Sequence, residues 1–235
     1  MIRYLRWDSN FFGKKIGKMN LAYNGKLKEM IYDISILKSE KYDCIYIEIP
    51  EGNATAIKYL KSKKIFPISI KSVMFIKSKA YDYPNINNIT KVLPDTQITR
   101  LYNISHQISH ASRFYKDVKL RPFAYKLYEK WVHKSCLDSE ASECFYLMAY
   151  EKLVGLITVK MRKYVPQIDL FGVDKSYRNL GFGTQLLKKA MLWAYQKNYH
   201  ELTVCTQKEN HKAVSVYEKN GFFTKENIYQ YHLWN

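Results

Sequence analysis

Val173-Asp174-Lys175-Ser176-Tyr177-Arg178-Asn179-Leu180-Gly181-Phe182-Gly183-Thr184 is the stretch on which the reading of this chain turns. An apolar strand pattern over 168–173 ends, and a short loop passes through two glycines. An amphipathic helix then begins near residue 183 and runs to about 197, with Leu186, Leu187, Ala190, Met191 and Ala194 on its apolar face. Such a loop presents backbone N–H groups at a helix N-terminus, where the macrodipole also favours negative charge. Glycine, lacking a Cβ, lets the backbone come close to phosphate oxygens. The segment therefore predicts a pyrophosphate cradle. A Walker loop would need G-x-x-x-x-G-K-[ST], which is missing. Gly181-x-Gly183-x-x-Leu186 also lacks the third glycine of the dinucleotide fingerprint.

Working outward, a strand over 201–206 leads through Gln207-Lys208-Glu209-Asn210 to a helix over 210–220 that carries Tyr217. The turn Asn220-Gly221-Phe222 and a terminal strand near 229–234 follow. Upstream lie strand patterns at 144–150 and 154–162. Before them come helical patterns at about 95–110 and 121–135, on either side of a polar-aromatic loop at 112–117. The first 80 residues read as a compact β-α-β-α-β unit. Its strands fall within 14–23, at 42–49 and at 68–77. Leu27, Met30, Ile31, Ile34 and Leu37 share one helical face, and Ala54, Ile57 and Leu60 another. In the strand at 42–49, Ile45, Ile47 and Ile49 alternate with Cys44, Tyr46 and Glu48, the period-2 pattern of a sheet. Turn formers at 81–88 read as a linker. The expected organisation is an α/β chain with an N-terminal unit at 1–80, a linker at 81–95 and a larger unit at 96–235.

Composition narrows the class. The chain has 235 residues, 47% of them hydrophobic, enough for a sizeable core, and only 9 Gly and 6 Pro, too few for a long disordered or collagen-like tract. No apolar run approaches the roughly 18–20 residues of a membrane span, and the start has no apolar h-region. Four scattered cysteines form no Cys-x-x-Cys, which argues against a disulfide framework or zinc site and for a cytoplasmic protein. The net charge is +17, but it comes mostly from lysine, with only seven arginines, and is spread over the whole chain. Nucleic-acid binders concentrate charge and favour arginine, so no nucleic-acid partner is expected. A diffuse positive field would still draw in an anionic ligand such as a nucleotide or coenzyme A.

Arg178-x-x-Gly181-x-Gly183 after a strand resembles the acyl-CoA loop of the GCN5-related N-acetyltransferases, the GNAT superfamily. Asn210-x-x-Ala213-x-x-x-Tyr217-x-x-x-Gly221-Phe222 is similar to the C-terminal motif of the same superfamily. The opening Leu5-Arg6-Trp7-Asp8-Ser9-Asn10-Phe11-Phe12-Gly13 resembles that of the dTDP-fucosamine acetyltransferases, whose catalytic unit follows a degenerate half-GNAT unit. Ser112-Arg113-Phe114-Tyr115-x-Asp117, Leu127-Tyr128-x-x-Trp131 and the ending Tyr231-His232-Leu233-Trp234 are also similar to that family. Val216 departs from it, standing where a basic residue is expected beside the tyrosine.

The resemblance implies a GNAT fold, a mostly antiparallel sheet flanked by helices. It implies acetyl-CoA as co-substrate, held by Phe171, Val173, the loop Arg178, Asn179, Leu180, Gly181, Phe182, Gly183 and Thr184, and by Asn210. The backbone of 170–173 would bond pantetheine and polarise the thioester carbonyl. Tyr217 would protonate the departing thiolate: a thiol titrates near 8.5 and tyrosine near 10, so the phenol keeps its proton at neutral pH. Arg113, Tyr115 and Asp117 could bind the acceptor, a small-molecule sugar-nucleotide amine, or could equally anchor their loop. Trp7, Phe11 and Phe12 read as core packing. His106-x-x-x-His110 spans one helical turn but lacks a third ligand, so no metal is expected. The implied activity is N-acetylation of a nucleotide-linked aminodeoxysugar for surface polysaccharide, with a homodimer compatible. The competing readings are a protein or peptide N-acetyltransferase and a binding module that has kept the fold without catalysis.

Overall fold

The structure, a computed structural model, describes residues 2–20, 41–80, 88–138 and 142–235. The helix expected around Leu27–Leu37 and residues 81–87 of the expected linker lie outside the described residues, and the rest of that linker contributes a short strand at Ile89–Thr90. The strands are β1 (Arg3–Tyr4), β2 (Ile16–Asn20), β3 (Cys44–Pro50), β4 (Ser69–Lys77), β5 (Ile89–Thr90), β6 (Ser142–Ala149), β7 (Lys152–Arg162), β8 (Val165–Val173), β9 (Glu201–Gln207) and β10 (Phe223–Trp234). They form one mixed sheet in the order β1-β2-β3-β10-β4-β9-β8-β7-β6-β5. Parallel pairing occurs at β2–β3 and β8–β9, and every other pair is antiparallel.

The last strand lies inside the first 80 residues' share of the sheet. β10 pairs with β3 on one side and β4 on the other, Tyr229 facing both Ile49 and Ile70. A central strand must satisfy its buried polar side chains. Gln230 does so by donating to Glu48 Oε1 at 2.8 Å and accepting from the Ser69 hydroxyl at 3.0 Å. Glu48 is in turn paired with Lys18 and Lys71, which hold its carboxyl down to a pKa of about 2 despite burial.

Helices α1 (Arg6–Phe12), α2 (Ala54–Ser62), α3 (Ile98–Ser109), α4 (Arg113–Lys116), α5 (Ala124–Cys136), α6 (Phe182–Gln196) and α7 (His211–Lys219) cover both faces. All five apolar residues expected on the helix after the glycine loop are buried, and they pack α6 against β6, β7 and β9. On the opposite face α1, α3 and α5 enclose Leu101, Ile104, Leu127 and Leu156. The alternation in β3 sorts as expected. Ile45, Ile47 and Ile49 pack with Leu60 of α2, while Cys44 and Tyr46 join the cluster under α3 and α5.

Two local differences from the sequence reading have simple causes. The expected loop at 112–117 contains α4, because the Ser112 hydroxyl accepts the Tyr115 N–H at 3.1 Å and so caps a single helical turn. That turn buries Phe114 against Phe12 and Trp131. The opening segment forms α1, ended by Gly13 at φ +62°, the left-handed conformation that glycine adopts without strain.

Candidate active site

β8 and β9 pair only at Gln167–Thr203 and Ile168–Val204. β9 is paired along its whole length with β4, and β8 with β7, so each is held from its outer side while the inner edges part. A bulge in β8 sets the parting. Ile157 faces Phe171 and Val159 faces Ile168, which leaves Asp169 and Leu170 together opposite Thr158. The buried Thr158 hydroxyl accepts the Leu170 N–H at 3.0 Å. Bulges bend a strand and sharpen its twist. Past the bulge lies a cavity of about 750 Å³, within the usual range for small-molecule sites.

Tyr217, Asn210 and Phe171 come together on this cavity. The Tyr217 ring lies 5.7 Å from Phe171 and 5.6 Å from Phe222 and is 3% exposed. Burial, with a smaller contribution from the neighbouring Cys205, pushes its phenol above the ordinary tyrosine pKa. The group therefore holds its proton at neutral pH. Asn210 caps α7, its side-chain oxygen accepting the Ala213 N–H at 3.4 Å. Asn210 itself lines the cavity.

The glycine loop, residues 178–184, does not line this cavity and meets its wall only through Gly183 beside Phe171. Gly181 takes φ +78° as the residue before α6, and Asn179 takes φ +66°. Gly181 has no side chain to cap the helix, so the first N–H groups of α6 stay available to a ligand. A Cβ built on Gly183 would lie 3.5 Å from the Phe171 ring, so this glycine sits where cradle and cavity meet. Arg178 turns inward to brace the loop. It donates to the Val173 carbonyl at 2.9 Å and to Gln107 Oε1 at 3.2 Å, and Gln107 also accepts the Lys175 N–H at 2.7 Å. Leu180 is exposed, and Phe182 and Thr184 are partly buried. Of the backbone expected to bond pantetheine, the Leu170 N–H is taken by Thr158 and the Val173 carbonyl by Arg178. Phe171 keeps its place on the wall.

Arg113 and Asp117 lie elsewhere. His232 stands between them, its Nδ1 hydrogen-bonded to Asp117 and its Nε2 3.2 Å from Arg113. Asp117 also accepts from Trp234 Nε1 at 3.0 Å, and Arg113 lies over Tyr46, 4.4 Å from the ring centre. This cluster, in which Asp117 is buried and Arg113 partly buried, ties α4 to the end of β10 and β3. Tyr115 packs beside His110 and Tyr125 and does not line the cavity. His106 and His110 are engaged separately, with Glu129 at 2.6 Å and the Tyr125 hydroxyl at 2.7 Å. Among the described residues no group of three or more metal-ligating side chains occurs. Val216 packs against the core beneath α6.

The cavity also brings in residues not expected at the site from sequence: Cys205 near Tyr217, and Trp7, Lys130, Lys160, Arg162 and Asp169. Only Trp7 carried a signal, as part of the opening motif, and there it was read as core. Phe12 is core, but Trp7 is 49% exposed.

Parallel strands that part beside a glycine-capped helix define an acyltransferase architecture. Residues 101–222 match the family model described as "Acetyltransferase (GNAT) family", and the chain belongs to that family. Its members use acetyl-CoA. The chain is 28% identical over 111 residues to N-alpha-acetyltransferase 30 of Xenopus laevis, matching 45% of this chain and 41% of that protein. It thus spans less than half of that relative's length. It is 23% identical over 238 residues to the spore coat polysaccharide biosynthesis protein SpsD of Bacillus subtilis (strain 168), matching 97% of this chain and 81% of that one. In fold it is similar to a functionally unknown conserved protein from Staphylococcus epidermidis, with a TM-score of 0.64 at 14% identity, covering 94% and 84% of the two chains. Among the described residues no helix is long and apolar enough to cross a membrane.

Proposed function

We propose that the protein transfers the acetyl group of acetyl-CoA to the amine of a nucleotide-linked aminodeoxysugar, of the dTDP-4-amino-4,6-dideoxyhexose type, in the cytoplasm for surface polysaccharide. The observation that carries the reading is Tyr217, a buried and protonated phenol on the wall of the cavity where β8 and β9 part. The residues fit the co-substrate: unfilled N–H groups at the start of α6 suit its pyrophosphate, and Gly183 leaves room beside Phe171 for the arm that follows. Acetyl-CoA supplies the activated acetyl group. The acceptor nitrogen forms a bond to the acetyl carbon, the carbon–sulfur bond breaks, Tyr217 gives its proton to the departing sulfur, and the proton shed by the nitrogen returns through water to the Tyr217 oxygen. Asn210 orients the arm from the start of α7.

The choice of a sugar amine over a protein N-terminus rests on coverage. Acid–base chemistry tells only against a lysine side chain, since an N-terminal amine also titrates at about 8. Likeness to SpsD runs along nearly the whole chain, including the N-terminal segment that brings Trp7 to the cavity. An amine with a pKa of about 8 is roughly one-tenth neutral at pH 7, whereas a lysine side chain near 10.4 is neutral about once in 2,500. A sugar amine therefore needs less help from a base. The second reading, acetylation of protein N-termini, is favoured by the higher identity to N-alpha-acetyltransferase 30 over the shared segment. Thiol release from acetyl-CoA, followed with a panel of acceptors, separates the two. The aminodeoxysugar nucleotide should stimulate release well above peptides with free N-termini. Preference for the peptides would replace the sugar reading with the second.

A further inference from the structure

The cavity has two unlike ends. One end is the reaction centre around Phe171, Asn210 and Tyr217. The other is bounded by α1, α5 and the facing parts of β7 and β8, and it is lined by Trp7, Lys130, Trp131, Lys160, Arg162 and Asp169. Resting on the reading of the protein as a sugar-nucleotide N-acetyltransferase, we propose that this second end is a nucleoside-diphosphate subsite in which Trp7 stacks on the base and Lys130 and Lys160 hold the diphosphate.

Trp7 is built as a platform. One ring face stacks on Phe11 at 5.2 Å with an interplanar angle of 4°, and the residue remains 49% exposed at the cavity. A large aromatic fixed from behind and open in front offers contact area with little conformational entropy to lose, and every nucleobase has a π-face to meet it. Lys130 is placed next to it, its Nζ 5.4 Å from the Phe11 ring centre. Four cationic side chains, Lys130, Lys134, Lys160 and Arg162, share the lining with two carboxylates, Asp138 and Asp169, and Asp169 lies 3.2 Å from Arg162. This end therefore carries a positive surplus, which attracts phosphate and repels a cationic peptide. A ring platform beside cations fits a base joined to a diphosphate. The sugar amine then points along the cavity towards Tyr217.

The subsite is tested by calorimetric titration of the CoA-saturated protein with dTDP, UDP and GDP, so that the co-substrate's own nucleotide site is already filled. At least one of these should bind, and Trp7→Ala should weaken it by about 10-fold or more, the usual worth of a stacked base. Trp7→Phe should restore most of the affinity. Thymidine and inorganic pyrophosphate should each bind more weakly than the nucleoside diphosphate. The double variant Lys130→Ala with Lys160→Ala should weaken binding and flatten its salt dependence, and Tyr217→Phe should leave it unchanged. No binding by any of the three at millimolar concentration, or equal binding by Trp7→Ala, overturns the subsite. Binding without acetylation of any aminosugar nucleotide supports the subsite and sinks the proposed activity. Acetylation with an acceptor KM indifferent to Trp7→Ala does the reverse.

Discussion

Ile168 and Val204 face each other as the last paired residues of β8 and β9, and both line the cavity that opens beyond them. The separation is set on the far side of β8, where Thr158 holds the Leu170 N–H and absorbs the extra residue of the bulge. A strand bent there cannot keep its pairing with β9, and the unpaired edges become the walls of a site.

Tyr217→Phe keeps the ring against Phe171 and Phe222 and removes only the hydroxyl. General acid help is worth roughly 10²–10⁴-fold, so turnover at saturating acetyl-CoA should fall by about 10²-fold or more with thermal stability nearly unchanged. Turnover within about threefold of the parent would make Tyr217 a packing residue, since a lost proton donor costs far more than that.

The two loop glycines separate a conformational role from a spatial one. Gly181→Val forces a β-branched residue to φ +78° and should lower both stability and acetyl-CoA affinity. Gly183 has an ordinary φ, and its Cβ would make only van der Waals contact with Phe171. Gly183→Val should fold, keep the parent's far-UV circular dichroism, and bind acetyl-CoA more weakly. Parental affinity in a folded Gly183→Val would remove the cradle from the mechanism.

Cys205 lines the same cavity as Tyr217; the residue is exposed to solvent, but the protein packed around its thiol lifts it above the ordinary value. Alkylation with iodoacetamide should therefore be slow at neutral pH and faster in mild alkali. Saturating acetyl-CoA should slow it further, as read by peptide mass spectrometry. Equal rates with and without acetyl-CoA would show that the arm does not enter this part of the cavity.

His232 gives the fold an acid-sensitive point. Burial, together with the Arg113 guanidinium, lowers its pKa to about 4, so it stays neutral, with Nδ1–H donating to Asp117 and Nε2 accepting from Arg113. In the unfolded chain it takes up a proton near pH 6.5. Between those values the unfolded state binds more protons, so stability should fall as pH drops from about 6.5 to 4, by up to about 3 kcal/mol. Glu48 adds a second loss lower down: its stabilisation is complete above about pH 4.5 and fades towards pH 2. Urea titrations from pH 7 to 4.5 should show the first slope in the parent and a flatter one in His232→Gln. Equal slopes would place the acid sensitivity elsewhere.

Local patterns carried most of the elements because each records a short-range preference. The alternation in β3, the apolar stripe of α6 and the two helices flanking residues 112–117 depend only on neighbours in the chain. The family was equally legible, since Arg178-x-x-Gly181-x-Gly183 and Asn210-to-Phe222 each fit within one strand–turn–helix span. The one-turn helix α4 escaped notice because a single serine cap over four residues leaves no periodicity.

By itself, then, the sequence determined the acetyltransferase family and singled out the candidate cradle and tyrosine, all marked by spacings of a dozen residues or fewer. Tertiary structure alone decided what long-range pairing controls. It sent β10 between β3 and β4, gathered Asp117 and Arg113 around His232, and carried Trp7 across to meet Lys130 and Arg162 at the cavity. Trp7 and Phe12 share a short apolar motif, and no local rule says which one faces solvent. Only packing against α4 and α5 buries Phe12 and leaves Trp7 open, because a side chain's surroundings depend on which distant elements close over it.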